Sequence, residues 1–263
     1  MSTSSQSSAS KGVALVTGAA QGIGRAVALR LASDGFDVAV NDIAPSREKL
    51  EAVVDEITKK GRKGHLVVAD VSKETEVEAM VKEVVNVLGS LDVMVANAGI
   101  SIMKPIIDTS AEELDRILAV NLRGTFLCYK YAGKQMIAQG HGGRIIGACS
   151  GTGKKGQAAL SAYSASKFGI RAITQCAAME MGRNGITVNA YAPGPVKTQM
   201  WNDLEVVIGG PPGALEEELN KTCAVGYVAV PDDVAALASF FASKEAHLIT
   251  GQCVNIDGGR EFD

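Results

Sequence analysis

Short apolar runs alternate along the chain with longer segments in which apolar residues recur at helical spacing. The apolar runs start at or directly after Val13, Asp37, Leu66, Leu91, Gly142, Ile186 and Cys253. These runs are nearly continuous and do not alternate with polar residues, which is typical of strands buried on both faces of a parallel sheet. The pattern therefore predicts an α/β protein with a single-domain, Rossmann-type, doubly wound parallel sheet.

The length of the chain and the composition of its segments predict the domain organisation. With 263 residues, the chain suits one domain of this kind. Residues 1–10 are rich in serine and carry no charged side chain, so we predict a disordered tail over residues 1–11 and one domain over residues 12–263. The segment from about residue 200 to residue 227 contains glycines, prolines and acidic residues, and we predict that it is a mobile lid over the substrate.

Composition and charge argue against several classes of function. The chain has 26 Lys and Arg residues against 29 Asp and Glu residues, a formal net charge of −3, and no basic stripe, so we expect no nucleic-acid partner. No apolar run approaches the roughly 18 residues of a membrane span, so we expect no membrane partner. The 5 cysteines and 3 histidines are scattered, which predicts no metal site and a reducing, cytoplasmic location.

A glycine-rich segment connects the first predicted strand to the first predicted helix. Thr17 and Gly18 are followed closely by Gly22 and Gly24, and helical spacing continues to Ser33. Glycines let the backbone approach a pyrophosphate, and the N-terminus of a helix offers unpaired N–H groups and the positive end of its dipole. Although the spacing is not Gly-x-Gly-x-x-Gly, the order of strand, turn and helix predicts a dinucleotide site.

Polar residues end several of the predicted strands. Asp42 closes the second strand, where a carboxylate accepts hydrogen bonds from the adenosine ribose and repels a 2′-phosphate. This favours NAD as the cofactor, with a turn or helix-capping aspartate as the alternative. Asp70, Asn97 and Gly99 end the next two predicted strands. Because parallel strands end at the same edge of the sheet, we expect these residues to converge with Asp42.

A tyrosine and a lysine four residues apart form the candidate reaction centre. Tyr163 and Lys167 lie in a predicted helix from Leu160 to Met181, so their side chains share one face. A nearby ammonium favours the phenolate, which would let the tyrosine exchange protons with a hydroxyl or carbonyl near neutral pH. Ser150 ends the fifth predicted strand and is expected at the same edge of the sheet. For the tyrosine and lysine alone, an ordinary pair on a helix surface is the alternative.

Asn121 is a further candidate site residue. It lies between Val120 and Leu122 in a predicted helical stretch from about Ser110 to Gln139. An asparagine at a buried helical position is unfavourable unless its amide finds hydrogen bonds. A surface-facing asparagine is the alternative.

Taken together, these motifs resemble those of the classical short-chain dehydrogenase/reductase family. The matching residues cover nearly the whole chain after residue 11 and are Thr17-Gly18-x-x-x-Gly22-x-Gly24, Asn97-Ala98-Gly99, Asn121, Ser150, Tyr163-x-x-x-Lys167 and Pro193-Gly194. Ala96 departs from the pattern, because many members carry a second asparagine there. The resemblance implies an oxidoreductase that acts on CH–OH groups with NAD, and a homotetramer.

The resemblance also implies the residues of the site. Ser150 is expected to polarise a carbonyl, Tyr163 to donate the proton, Lys167 to keep the tyrosine acidic, and Asn121 to hold a water; these four are the expected catalytic residues. The expected cofactor-binding residues are Gly18, Gln21, Gly22, Ile23, Gly24, Asp42, Asp70, Val71, Asn97, Ala98, Gly99, Tyr163, Lys167, Pro193, Gly194, Val196 and Thr198.

Within the family, segments 148–150, 163–168, 185–189 and 196–201 are similar to diacetyl/acetoin reductases (2,3-butanediol dehydrogenases). This similarity implies that the enzyme interconverts a small ketone or diketone and its alcohol. The expected substrate contacts are Ser150, Gln157, Tyr163, Met200 and Trp201. Packing within the lid is the alternative for Trp201, and Gly151 stands where that group is expected to have a glutamine.

Other functions are compatible with the same motifs. A 3-oxoacyl-thioester reductase or a sugar or polyol dehydrogenase would share every motif described above. Outside enzymes, an inactive dinucleotide-binding sensor is the alternative. The presence of Ser150, Tyr163 and Lys167 together argues against such a sensor.

Overall fold

Seven strands form one parallel sheet within the residues that this computed structural model describes, which are 9–209, 211 and 213–262. The strands are β1 (Val13–Thr17), β2 (Asp37–Asp42), β3 (Gly64–Val68), β4 (Val93–Ala96), β5 (Gly143–Ala148), β6 (Ile186–Pro193) and β7 (Cys253–Ile256). All neighbours are parallel, in the order β3-β2-β1-β4-β5-β6-β7. The predicted single-domain, Rossmann-type doubly wound sheet is therefore confirmed. The strand order reverses between β1 and β4, and ligands of such sheets bind outside the carboxyl ends at that point.

Helices connect the strands and cover both faces of the sheet. They are α1 (Gly22–Asp34), α2 (Arg47–Lys59), α3 (Glu74–Leu88), α4 (Ala111–Ile117), α5 (Gly124–Gln139), α6 (Ser161–Met181), α7 (Gln199–Ile208), α8 (Ala214–Asn220) and α9 (Pro231–Ala242). Short 3-10 turns lie at Ala44–Ser46, Gly151–Gly153 and Gly182–Asn184. Among the described residues, no helix has the length and apolar character needed to cross a bilayer.

Two hydrophobic layers, one on each face of the sheet, explain the continuous apolar runs of the strands. In β1, Ala14 and Val16 belong to the layer that α1, α2 and α9 cover, whereas Val13 and Leu15 belong to the layer under α3 and α5. None of these four residues is more than 3% exposed. Because both faces of β1 are buried, its sequence is apolar from Val13 to Val16, and only Thr17 at its carboxyl end is polar.

The edge strand β3 ends earlier than the sequence predicted. It ends at Val68, before the predicted end at residue 71. The carbonyl of Ala69 accepts a hydrogen bond from the side-chain amide of Asn41 at 3.1 Å, so a side chain replaces the backbone partner that a continuing strand would have there. Asp70 consequently lies in the loop after the strand and not within it.

The central strand β4 is also shorter than predicted, and the reason is again a side chain. It ends at Ala96 and does not continue to Gly99. The N–H of Asn97 donates to Thr17 Oγ1 at 3.0 Å, and this bond turns the chain away from the ladder. The loop that begins with Asn97 therefore crosses the carboxyl end of β1.

The predicted helical stretch from Ser110 to Gln139 consists of α4, a π-helical turn at Leu118–Arg123, and α5. Asn121 lies inside the π-helical turn, where the hydrogen-bond pattern of an α-helix is interrupted. Such turns occur frequently at functional sites. The sequence predicted the helical stretch but not this interruption.

The predicted tail and lid are described only in part. Residues 1–8 lie outside the described residues, and residues 9–11 form neither helix nor strand. The lid segment contains α7 and α8, and residues 210 and 212 between them lie outside the described residues. The domain boundaries and the mobility of the lid stay predictions.

Candidate active site

The glycine turn after β1 holds the start of α1 unusually close to the preceding backbone. Gly18 and Gly22 have φ angles of +63° and +56°, which favour glycine. A Cβ atom added at Gly24 would lie 2.1 Å from the carbonyl oxygen of Gly18. α1 begins without a side-chain cap at Gln21 and without an acidic residue in its first turn. Its N–H groups and positive dipole end are therefore available to an anion, and the turn fits the pyrophosphate of a dinucleotide.

Asp42 ends β2 directly beside this glycine turn. Its Oδ2 accepts a hydrogen bond from the N–H of Ala20 at 3.2 Å, and its Oδ1 accepts one from the N–H of Ile43 at 2.9 Å. The N-cap positions of the following 3-10 turn and of α2 are Ile43 and Ser46, so Asp42 caps neither. The carboxylate thus lies where the sequence predicted a ribose-binding group.

Two cations on α2 differ in their relation to the glycine turn. Arg47 forms an exposed ion pair with Glu51 along the helix, with an Nε–Oε1 distance of 3.1 Å. Lys49 instead reaches the turn, where its Nζ donates to Gln21 Oε1 at 2.9 Å. The sequence analysis missed Lys49, because no spacing motif links α2 to the turn before the two are packed together.

Asn97 and Thr17 connect the glycine turn to the end of β4. Thr17 Oγ1 accepts hydrogen bonds from the N–H groups of Asn97 and Ala98 at 3.0 and 3.1 Å. Asn97 Nδ2 donates to the carbonyl oxygens of Thr17 and Gly18 at 2.9 and 3.2 Å. The side chain of Asn97 is therefore a support for the turn, in addition to any contact that it makes with a cofactor.

The predicted adenine contacts, Asp70 and Val71, differ in their surroundings. Asp70 Oδ1 accepts hydrogen bonds from the backbone and the hydroxyl of Ser72 at 2.9 and 2.7 Å. Burial raises the pKa of the Asp70 carboxyl, but the bonds from Ser72 outweigh this effect and hold the pKa below its ordinary value. The Val71 side chain is buried and packs beside Gly124, so only its backbone is free to contact a ligand.

The loop after β6 lies over the glycine turn. A Cβ atom at Gly22 would lie 3.5 Å from the methyl group of Thr198, so the two predicted cofactor loops are in contact. Gly194 N–H donates to the carbonyl of Ile256 at 3.2 Å, and Val196 forms an isolated parallel bridge with residue 229. Of the other predicted contacts, Ile23 packs against the core and Pro193 ends β6.

Packing of α6 against the end of β5 brings Ser150, Tyr163 and Lys167 together. Lys167 Nζ donates to the carbonyl of Ala148 at 2.7 Å and lies 5.3 Å from the centroid of the Tyr163 ring. Since Ala148 is the last residue of β5, this bond holds the lysine beside the turn that begins with Ser150. Ser150 Oγ accepts from the N–H of Thr152 at 3.3 Å, and no acceptor among the described residues takes its proton. The hydroxyl can therefore donate to a substrate oxygen.

Lys167 is a buried cation. It is 4% exposed, and no carboxylate pairs with it in the described part of the chain. Burying an ammonium group is costly unless its N–H groups find acceptors. One of its three N–H groups goes to the carbonyl of Ala148. Among the described residues, no acceptor takes the remaining two.

Asn121 is fully buried, and its amide is engaged with backbone and a serine. Its Oδ1 accepts from the N–H of Ile100 at 2.8 Å, and its Nδ2 donates to the carbonyl of Ile100 at 2.9 Å and to Ser166 Oγ at 3.1 Å. Ser166 in turn donates to the carbonyl of Tyr163 at 2.6 Å. The surface-facing alternative for Asn121 is therefore wrong. Ser166, which the sequence analysis did not single out, links Asn121 to the helix of the tyrosine.

A small space beside Gly99 adjoins both Asn121 and Lys167. A Cβ atom at Gly99 would lie 3.3 Å from Asn121 Oδ1 and 3.6 Å from Lys167 Nζ. Glycine leaves this position open, and two polar atoms border it. The water that Asn121 is predicted to hold would have these two partners if it lay in this space.

The predicted substrate contacts lie in less enclosed surroundings. Gln157 is exposed in the loop before α6, and Met200, in the first turn of α7, is 45% exposed. Trp201 is only 7% exposed and belongs to a separate lid cluster, whose other members are Cys223, Val228, Leu215 and Leu219. This is the packing role that the sequence left open for Trp201, and its contact with substrate stays a prediction.

A backbone hydrogen bond that the sequence did not reveal holds the loop before Tyr163. The carbonyl of Ala159 accepts a hydrogen bond from the N–H of Lys104 at 2.7 Å. Ala159 has φ of +60°, the one positive value of a non-glycine residue among those described. Such a conformation costs roughly 1–2 kcal/mol, so the loop is held by its surroundings in a strained form.

Among the described residues, no group of His, Cys, Asp and Glu side chains could hold a metal ion.

Three features define a dinucleotide-dependent dehydrogenase site. They are the glycine turn that fits pyrophosphate, the Asp42 carboxylate beside it, and the buried Lys167 with Tyr163 and Ser150. The family model of short chain dehydrogenases matches residues 12–206. A short-chain dehydrogenase/reductase of Armillaria gallica is 66% identical over 251 residues, 95% of this chain and 96% of that protein. The chain therefore belongs to the short-chain dehydrogenase family.

Two further relatives have names that specify an activity. The L-2,3-butanediol dehydrogenase of Corynebacterium glutamicum is 40% identical over 255 residues, 95% of this chain and 99% of that protein. A 3-oxoacyl-(acyl-carrier-protein) reductase of Staphylococcus aureus is 41% identical over 246 residues, 94% and 96% of the two chains. The protein is thus an oxidoreductase that acts on CH–OH groups with a nicotinamide cofactor, and its relatives differ in substrate.

Proposed function

We propose that the protein is an NAD(H)-dependent reductase that interconverts a small ketone or diketone and its alcohol. The observation that carries the cofactor assignment is the Asp42 carboxylate at the end of β2, held by the N–H of Ala20 beside the glycine turn. Lys49, the α2 cation that reaches this turn, is engaged with Gln21. A 2′-phosphate on the ribose would meet the carboxylate first, so repulsion favours NAD(H) over NADP(H).

The chemistry follows from the proton and hydrogen-bond donors around the reacting carbon. When bound, the nicotinamide supplies or accepts the hydride. Ser150 donates a hydrogen bond to the carbonyl oxygen, which stabilises the negative charge that grows there during reduction. Tyr163 gives its proton to that oxygen. Lys167 favours the tyrosinate that remains and binds a ribose hydroxyl, and a water beside Asn121 and Gly99 returns the proton.

The substrate proposal is supported by the relatives' names and by the side chains of the lid. The butanediol dehydrogenase relative acts on a small diol by its name, and its identity of 40% extends over 95% of this chain. The thioester reductase relative is equally similar, so a 3-oxoacyl thioester is the second candidate. The exposed Met200 and the apolar lid cluster offer no cation for a phosphate or carboxylate of a larger substrate. This favours the short, neutral molecule.

For the assembly we propose a homotetramer, formed through the outer faces of α5 and α6. Phe126 and Ile137 are exposed on α5, and Phe168 and Met179 are exposed on α6. In each pair the residues are eleven positions apart (137 − 126 and 179 − 168), about three turns, so each pair lies on one side of its helix. Exposed apolar stripes of this kind favour association. Light scattering should give about four times the chain mass of 27.3 kDa, and a monomeric mass would contradict the proposal.

We also propose a cytoplasmic location, which the free cysteines favour.

One kinetic experiment tests cofactor and substrate together. The values of kcat/KM are measured with NADH and NADPH, each against diacetyl, acetoin, an acetoacetyl thioester and a keto-sugar. We expect NADH to exceed NADPH and diacetyl to exceed the thioester and the sugar, each by at least tenfold. A preference for NADPH contradicts the cofactor assignment, and a tenfold preference for the thioester or sugar contradicts the substrate. Binding of NADH without turnover of any carbonyl would indicate the sensor instead.

A further inference from the structure

Tyr191 is a fully buried tyrosine on β6, the strand next to the edge strand β7, and the reaction chemistry does not use it. It lies near the end of β6, opposite Ala148 of β5, and is less than 2% exposed. Its neighbours on the strand, Ala190 and Ala192, are small and apolar. A hydroxyl in such surroundings has to find a partner. It donates to Asn97 Oδ1 at 2.9 Å, across the end of β5.

This bond holds the oxygen end of the Asn97 amide. On the other side of the amide, Nδ2 donates to the carbonyl oxygens of Thr17 and Gly18. If the amide turned over, its oxygen would face those two carbonyls and its NH₂ group would face the tyrosine. Burial raises the pKa of Tyr191, so the hydroxyl keeps its proton and acts as a donor. The two carbonyls, which can only accept, therefore set which end of the amide faces the turn, and the tyrosine hydroxyl holds the oxygen at the other end in place.

The oriented amide lies under the glycine turn. A Cβ atom at Gly24 would lie 2.5 Å from Asn97 Nδ2, and one at Gly18 would lie 3.0 Å from it. The amide nitrogen thus fills the space between the first and the last glycine of the turn. Any rotation of the amide changes the position of the Gly18 carbonyl and, with it, the N–H groups that face a pyrophosphate.

We propose that Tyr191 is a positioning residue for dinucleotide binding: its hydroxyl fixes the Asn97 amide, and the amide fixes the glycine turn. The proposal rests on the proposed function to the extent that a dinucleotide must bind at this turn. It is independent of the substrate and of the choice between NAD and NADP. It predicts an effect on the affinity for the cofactor and not on the rate of the chemical step.

The test compares two substitutions that each remove one buried tyrosine hydroxyl. Tyr191→Phe removes the donor to Asn97 and keeps the ring. Tyr129→Phe is the matched control, because Tyr129 is 3% exposed and its hydroxyl lies 3.0 Å from Thr174 Oγ1, away from the glycine turn. The dissociation constant for NADH, or for NADPH if the wild type binds it more tightly, is measured by calorimetric titration. Melting temperature and kcat at saturating cofactor are measured alongside.

We expect both variants to melt at a lower temperature than the wild type, but only Tyr191→Phe to bind the cofactor less tightly. Its Kd should rise about tenfold, which corresponds to about 1.4 kcal/mol, while kcat stays within twofold. In an Asn97→Ala background, Tyr191→Phe should weaken binding no further, because the amide through which it acts is gone.

Three results would overturn the positioning role. They are an unchanged Kd in Tyr191→Phe, an equal rise in Tyr129→Phe, and a further tenfold rise when Tyr191→Phe is added to Asn97→Ala. The first two need no Asn97 variant, so the proposal stays testable if that variant does not fold. If the wild type binds neither NADH nor NADPH, the proposed function itself fails and the positioning role fails with it.

Discussion

The two sides of the active site are built in different ways. On the nucleotide side, the glycine turn is tied to β4 and β6 by a chain of short hydrogen bonds through Thr17, Asn97 and Tyr191. On the substrate side, Gln157 and Met200 are exposed, and Trp201 packs in a small cluster of the lid's own residues. The first side is continuous with the core of the sheet, whereas the second is formed by loops and short helices.

This difference follows from what each side of the active site has to bind. A pyrophosphate needs close backbone approach, and close approach needs glycines and a rigid support, which the core of the sheet provides. A substrate pocket formed by loops accepts substitutions without loss of the fold. Tyr163 and Lys167 lie at the boundary between the two sides, because α6 contacts both the end of β5 and the loop that precedes α6.

The largest effect is expected at this boundary, with Tyr163→Phe. The substitution removes one oxygen and the proton donor, so kcat should fall by about 10²–10⁴-fold, the usual contribution of general acid catalysis. Tyr131→Phe is the control, since Tyr131 lies on α5 and its hydroxyl donates to Glu74 of α3 at the surface. Both variants should fold with the circular dichroism of the wild type. A Tyr163→Phe enzyme with more than a tenth of the wild-type rate would contradict the assigned role.

A second prediction compares one glycine from each side. In Gly24→Ala, the new Cβ would meet the carbonyl of Gly18 at 2.1 Å, so the turn has to move. We expect a lower melting temperature and at least a tenfold weaker binding of NADH. In Gly156→Ala, in the loop of the substrate side, the Cβ meets no atom within 4 Å, and both quantities should stay close to wild type. Equal behaviour of the two variants would show that the two sides are not built differently.

The third prediction concerns the charge at Asp42. Asp42→Asn keeps a hydrogen-bonding side chain beside Ala20 but removes the charge, so the ratio of kcat/KM for NADH to that for NADPH should fall about tenfold, or about 1.4 kcal/mol. Adding Lys49→Gln should restore part of the ratio, because Lys49 is the cation that reaches the turn. A ratio that Asp42→Asn leaves unchanged would mean that repulsion of the 2′-phosphate is not the basis of the preference.

Most of the fold could be predicted from the sequence because its signals are local. Continuous apolar runs and helical spacing each depend on a few neighbouring residues. The strand ends at Val68 and Ala96 could not be predicted, since they depend on the side chains of Asn41 and Thr17, which approach from other strands. The predictions failed where a side chain competes with the backbone ladder.

The same distinction holds for the candidate site. Glycine spacing and the Tyr163–Lys167 interval are motifs within single segments, so the sequence displays them. The roles of Tyr191 and Ser166 are visible only after packing, because each acts on an asparagine from a distant segment. A tyrosine between two alanines of a buried strand is the one signal that could have drawn attention to Tyr191.

The smallest effect is expected on the substrate side, at Met200 and Trp201, which follow the cofactor loop. Substitutions at the two positions distinguish contact with the substrate from packing within the lid. Met200→Ala removes an exposed side chain at the start of α7, so it should leave stability unchanged. It should alter the ratio of kcat/KM for diacetyl to that for a bulkier diketone by about threefold, or roughly 0.6 kcal/mol. Trp201→Phe largely keeps the packing against Cys223 and Val228, so it should lower the melting temperature slightly and leave this ratio unchanged. If Trp201→Phe changes the ratio more than Met200→Ala, the tryptophan contacts the substrate and is not confined to the lid cluster.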